Sequence, residues 1–209
     1  NKSVMKVVRS MKSVLKIMSF ALLAACSAGW ETTYDAPIEA SMSQKWNVRA
    51  VTVGVPEGLT TTEDNTFTPD ADVVWHGEEF GDRKAQAAAI LQTGIKQGAR
   101  GLRGHQPVNL NVVLQEFHAV TPKARAEAPS AVHNISYTIQ VMDARTGEPL
   151  TDPQLIRADL EAFTGQAAYE AFTRGETQKV RITRHLKDVT AGWLGIGPDP
   201  RRGFSSVGR

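Results

Sequence analysis

The chain is 209 residues long, with 41% hydrophobic and 22% charged residues. Those values exclude a polytopic membrane protein and a wholly disordered chain, and the length suits one domain with extras, or two small domains at most. The single cysteine excludes an intrachain disulfide, and the formal net charge of +2 comes from 24 Lys+Arg against 22 Asp+Glu. That balance is uneven along the chain. Five bases (Lys2, Lys6, Arg9, Lys12 and Lys16) and no acid lie in the first 25 residues, so the rest holds 19 bases against 22 acids, a net of −3. A mildly acidic body argues against nucleic acid as a partner.

The basic segment runs into an apolar stretch, Ile17 to Ala25, interrupted only by Ser19. This is about half of the ~20 residues a spanning helix needs. The order, basic and then apolar, is that of an export signal. Leu23-Ala24-Ala25-Cys26-Ser27 follows. That run resembles the lipobox of bacterial lipoproteins, an apolar residue and two small ones before a cysteine. The resemblance implies that a diacylglycerol is attached to the Cys26 thiol, that a signal over residues 1–25 is cut before Cys26, and that the new amino terminus is acylated, with palmitate as the type of chain. The start would be Met5 or Met11, for a signal of 21 or 15 residues. Ser27 is not the aspartate that marks inner-membrane retention in some bacteria, which points to the periplasmic face of the outer membrane. Membrane lipid, held through acylated Cys26, is thus the first partner expected. Two or three acyl chains would anchor firmly, at ~0.8 kcal/mol for each buried CH2.

Residues 27–44 show no sustained period and read as a flexible tether, together with lipidated Cys26 the segment 26–44. Its 18 residues would span roughly 23 Å as a coil and about 60 Å at full stretch. One globular domain is expected over 45–195. Trp46 to Pro56 reads as a strand. Trp46 and Val48 share one phase and Val51, Val53 and Val55 the other, so a bulge is expected near Arg49–Val51. Residues 57–72 read as a loop and 71–76 as a short strand. Asp82 is a candidate N-cap for a helix whose face of Ala85, Ala88, Ala89, Gln92, Ile95 and Ala99 would pack on a sheet, with Gly101 and Gly104 as stops.

Val108, Leu110, Val112 and Leu114 alternate with polar residues, and after a loop at 121–130 so do Ile135, Tyr137, Ile139 and Val141. An antiparallel pair that sets Val112 opposite Ile139 and Leu114 opposite Tyr137 puts both apolar sets on one face. Asp143 to Pro153 is a turn. Ile156, Ala158, Leu160 and Ala162 then form a third strand, with Arg157, Asp159 and Glu161 on its exposed side. A short helix is expected over 166–174. A stronger one starts at Glu176, with Ile182, Leu186, Val189 and Trp193 on one core-facing stripe. Residues 196–209 read as a flexible tail. The fold class is α+β, an antiparallel and in places mixed sheet of three to five strands with two or three helices on one face. The turn Asp143-Ala-Arg-Thr-Gly-Glu-Pro149, in such a small domain, is similar to several uncharacterised bacterial envelope lipoprotein families. That likeness implies no catalytic residue.

The sequence holds no P-loop, no H-E-x-x-H, no G-x-S-x-G and no C-x-x-C, and no motif in it calls for a cofactor. Three weaker constellations are present. His76 and Glu78, with Glu79 beside them, lie at a strand end, half of a metal site. His118 and His133 fall opposite one another in the same register, where two imidazoles could hold zinc or copper, although Phe117 after Leu114 suggests a bulge that would separate them. Arg201 and Arg202, with Arg209, could touch anionic glycan or lipid, or be a solvated tail. The leading functional reading is a membrane-anchored envelope lipoprotein with a non-catalytic structural, accessory or protein-binding role and an envelope protein as partner. The alternatives are a metal-binding or hydrolytic periplasmic enzyme using His76 and Glu78, and a carrier of lipid or cell-wall ligands.

Overall fold

The computed structural model describes residues 29–204. Signal residues 1–25 and Cys26 lie outside the described residues, as do residues 205–209. Two long strands form the spine, β4 (Gln106–His118) and β5 (Ala131–Asp143), antiparallel to each other. Val112 faces Ile139 and Leu114 faces Tyr137, and Gln115 is the extra residue of a bulge that shifts the later pairs. On the outer side of β4 run two parallel partners, β2 (Trp46–Gly54) and β3 (Val73–Val74). β2 carries the bulge expected from its change of phase, between Val48 and Ala50. On the far side of β5 come β6 (Gln154–Ala158) and β7 (Leu160–Ala162).

Two segments read as flexible in the sequence belong to this sheet. β1 (Trp30–Thr33) pairs antiparallel with β6, and β8 (Arg202–Phe204) pairs with β1. Tyr34 and Ile38 are buried in the core, and the short helix α1 (Ala40–Ser43) follows. Residues 30–43 are therefore part of the domain and not a tether. The segment after residue 195 is likewise held down. The Arg201 guanidinium lies over the Tyr34 ring and pairs with Asp199, and Asp199 accepts a hydrogen bond from the Tyr34 hydroxyl. Arg201 is thus occupied within the fold. The sheet has eight strands among the described residues, in mixed order, where three to five mainly antiparallel ones were expected.

Five α-helices accompany it, against two or three expected. α2 (Arg83–Gly98) and α5 (Gln178–Trp193) pack on each other and share the sheet's apolar face. Their N-caps are Asp82, which accepts from the Ala85 N–H, and Thr177, which accepts from the Val180 N–H. α3 (Pro122–Glu127) lies inside the expected 121–130 loop, with Pro122 in its first turn and Thr121 as cap. α4 (Gly165–Thr173) precedes α5. The α5 stripe of Ile182, Leu186, Val189 and Trp193 is buried as expected. The buried face of α2 is turned by one residue from the expected one: it consists of Ala87, Ile90, Leu91, Gly94, Ile95 and Gly98, while Ala85, Ala89 and Gln92 are exposed. The cause is the second helix. α2 must meet α5 as well as the sheet, and it does so through its glycines.

The exposed edge of β2 is blunted in two ways. The bulge interrupts it, and Gln92 of α2 donates its side-chain amide to the Val51 carbonyl at 2.7 Å.

The helix contact generates a prediction. A Cβ on Gly98 would sit 2.5 Å from the Lys187 carbonyl oxygen and 2.6 Å from the Thr190 Cβ, and one on Gly94 would sit 2.6 Å from the Leu186 Cβ. Backbone cannot yield as a side-chain tip does. Gly98→Ala is therefore expected to lower stability by about 1–3 kcal/mol, the usual cost of overpacking, despite the better helix propensity of alanine. A urea midpoint equal to that of the parent chain would show that α2 and α5 are not packed this closely.

Candidate functional site

His76, Glu78, His118 and His133 gather at one end of the sheet, where β3 and β4 finish and β5 begins. They do not form a common centre. Glu78 is taken on both oxygens: it accepts from the Trp75 indole N–H at 2.9 Å and pairs with Lys179 of α5. These contacts, together with the nearby Arg83, hold its carboxyl below the usual range in spite of burial, which alone would raise it. His76 lies beside a cavity of about 200 Å³ with Gly77, Arg125 and Phe172, and its Nε2 is buried without a hydrogen-bond partner. The pairing of His76 with Glu78 as a half-site is thus not realised.

The bulge at Gln115 decides the second pair. It sets His118 opposite Asn134 instead of His133. His118 bonds to the Pro69 carbonyl through Nε2 at 2.8 Å. His133 is fully buried on the helix side, where its Nδ1 accepts from the Val120 N–H at 3.3 Å. That contact places the proton on Nε2, which has no acceptor. Alternation puts the two imidazoles on opposite faces of the sheet. Among the described residues, no group of three or more His, Cys, Asp or Glu could hold a metal ion.

The polar cluster that the fold does build lies nearby and was not legible as such. Asp159, expected on an exposed face, is buried in the gap between β6 and β7. One carboxylate oxygen accepts from the Glu31 N–H and the other from the Ile135 N–H, both at 3.1 Å. Its carbonyl accepts from the Thr32 hydroxyl at 3.0 Å. The same hydroxyl lies 3.2 Å from Nε2 of His185 on α5. With its own proton given to Asp159, Thr32 accepts from the imidazole. The cluster therefore ties β1, β5 and α5 together. Burial raises the Asp159 carboxyl, opposed by the backbone N–H groups it accepts from. Burial lowers both histidines, His133 to about 3 and His185 to about 4, with Arg181 and Arg202 respectively adding to the effect.

This polar arrangement is structural in its chemistry: each of its bonds closes a backbone or side-chain group of the domain. The fold is a mixed α+β sheet protein, and the chain belongs to the family of unknown function DUF6778, whose model matches residues 46–209. No curated protein matches it. Several solved structures are similar to the chain at low level, three of them as follows. One is a "putative lipoprotein" from Caulobacter crescentus, at 13% identity over 75% of this chain and 94% of that one, with a TM-score of 0.33. The others are two PelC dodecamer structures from Paraburkholderia phytofirmans. The first, a point variant, has 11% identity over 78% of this chain and 94% of that one, with a TM-score of 0.31. The second has 10% identity over 76% and 96%, with a TM-score of 0.27. These scores are too low to define a shared fold.

Two predictions come from the cluster. Asp159→Ala would leave the Ile135 and Glu31 N–H groups unpaired, at ~1–3 kcal/mol for a buried group. A loss of about 3 kcal/mol is expected by chemical denaturation, with β1 amides the first to lose protection in hydrogen exchange. Unchanged β1 protection would mean that the strand is held by other contacts.

The second is the pH dependence. In the unfolded chain His133 and His185 bind protons near 6.5; in the folded chain they do so only near 3 and 4. Below 6.5 the unfolded state therefore binds more protons, and acid favours it. Burial raises the Asp159 and Glu116 carboxyls, which act in the opposite sense. The urea midpoint should be level above pH 6.5 and fall between pH 6.5 and 5, less steeply in His185→Gln. A midpoint that is the same at pH 7 and pH 5 would contradict the burial of these imidazoles.

Proposed function

We propose that this protein is a lipoprotein of the bacterial cell envelope, anchored through acylated Cys26 on the periplasmic face of the outer membrane, with a structural or accessory role that engages another envelope protein. The observation that carries the reading is the run Leu23-Ala24-Ala25-Cys26, placed after a basic and then apolar segment and just ahead of the folded domain. Of the two side chains in the enzyme alternative, Glu78 is held by Trp75 and Lys179, which supports the non-catalytic reading, while the buried Nε2 of His76 has no hydrogen-bond partner. The side of the sheet away from α2 and α5 offers a surface for a protein partner. It is largely polar, with Val113 and Leu155 exposed on it.

Cys26→Ser tests the anchor. The thiol is the only group that can take the thioether-linked lipid, so the variant should lose incorporation of labelled palmitate and move from the membrane to the soluble fraction. If the variant remains in the membrane fraction in the same amount, an uncleaved apolar segment and not Cys26 does the anchoring.

A further inference from the structure

Exposed aromatic side chains on this domain are not scattered. Among the described residues, those are Phe67, Phe80, Phe163, Tyr169 and Phe172, at 37–82% exposure. Phe67 lies in the loop before β3, which reaches α3 where the Thr121 hydroxyl donates to the Thr66 carbonyl. Phe80 lies between β3 and α2. Phe163, Tyr169 and Phe172 follow β7 and belong to α4 and its entry. The strand register shows what these segments share. β3 ends beside His118, the last residue of β4; β5 begins at that same level; β7 ends beside Ala131, the first residue of β5. All five aromatics thus lie at one end of the sheet, and Val180, also exposed, joins them in the first turn of α5.

The chain enters the domain at this end. β1 runs antiparallel to β6, with Thr32 beside Ala158, so Trp30 lies toward β7. Trp30 and Phe67 both line an apolar-sided cleft of about 450 Å³, together with Ala119, Val120, Ala124 and Ala128. Cys26 is four residues before Trp30. Four residues span at most about 14 Å, a quarter of the ~60 Å that an 18-residue tether would reach. A diacylated Cys26 sits at the level of the lipid headgroups, so this end of the domain is held at the bilayer surface, whatever the rest of the molecule does. Tryptophan and tyrosine rest well at that depth, and phenylalanine serves as an apolar anchor just below it. Cations reinforce the placement: Lys123 lies over the Phe67 ring and Arg181 over the Phe163 ring, with aliphatic stems that can run along the apolar zone. Acidic side chains such as Glu79 and Glu127 also occur here, so net charge does not supply the attraction. The apolar contact does.

We infer that the Trp30–Phe67–Phe172 end of the domain is a membrane-docking face, which lies on the phospholipid bilayer that holds Cys26. This rests on the lipid anchor proposed above. Its occupant is the headgroup and upper acyl region of the same leaflet.

The test uses the acylated chain in phosphatidylcholine vesicles whose acyl chains carry bromine, a quencher of indole emission at short range. Trp46, Trp75 and Trp193 are buried at 2%, 0% and 1% exposure, so loss of emission reports Trp30. The expected result is quenching that disappears in Trp30→Phe and is reduced in the triple variant Phe67→Ser, Tyr169→Ser, Phe172→Ser, while both variants still float with the vesicles. Met42→Ser with Val113→Ser, exposed apolar positions elsewhere, should leave quenching unchanged and guards against a general surface effect. A chain that floats with Trp30 unquenched, or equally quenched in the triple variant, keeps the anchor and overturns the docking face. A chain that does not float at all overturns the anchor and the docking face with it. Circular dichroism of the triple variant, expected to match the parent, separates lost docking from lost folding.

Discussion

The carboxylate of Asp159 is the tie on which the rest of this structure turns. It sits where β6 gives way to β7, and it takes one backbone N–H from β1 and one from β5. A buried carboxylate is costly unless its oxygens are bonded, and here backbone donors on two strands meet that need. The result is that a four-residue strand, too short to be stable alone, becomes a fixed part of the sheet. β8 then pairs on its outer side, and Arg201 closes over Tyr34. One acidic residue in an apolar stretch therefore converts both ends of the described chain from loose segments into sheet.

That conversion changes what the proposed anchor at Cys26 would do. With a free tether, an anchor says only which compartment a domain occupies. With β1 paired from Trp30, the proposed anchor would also determine which end of the domain meets the membrane. The strands would then stand on the bilayer with α1 and the 143–153 turn pointing away, and the open face of the sheet directed along the membrane plane. A partner reaching the domain in that orientation meets a side and not a tip. It would meet the polar face, because the β2 edge is closed to strand addition by the Arg49 bulge and by Gln92 on the Val51 carbonyl.

The long elements were legible because their residues repeat. The alternation of β4 and β5 gave the pairing of Val112 with Ile139, and the stripe of α5 gave its buried face. Single residues whose environment is decided by distant segments were not legible. Asp159 alternates with apolar neighbours just as an exposed residue would; only the arrival of β1, more than a hundred residues earlier in the chain, buries it. β1 itself carried a faint signal. Trp30, Thr32 and Tyr34 alternate with polar residues, in a run of aromatic and β-branched types that suits a strand, but five residues between Gly29 and the Asp35-Ala-Pro37 run have no period to measure. The α2 face follows its glycines and not its alanines, because α5 approaches the helix backbone closely at Gly94 and Gly98.

The candidate site was half legible for the same reason. Sequence placed His76 and Glu78 at a strand end and His118 opposite His133 near a hairpin loop, and the structure brings the four to one end of the sheet. Whether such residues form a centre depends on bond partners that no spacing rule contains. The bulge that Phe117 after Leu114 suggested is present at Gln115, and it sends His118 and His133 to opposite faces. Lys179, a hundred residues after Glu78, takes the carboxylate that would have been a ligand. The chemistry at this end is then read better from what remains exposed than from what could ionise. Asp159 and His185 are turned inward to hold β1, β5 and α5 together, and the aromatic rings are turned outward at the one edge that a lipid on Cys26 would bring against a bilayer.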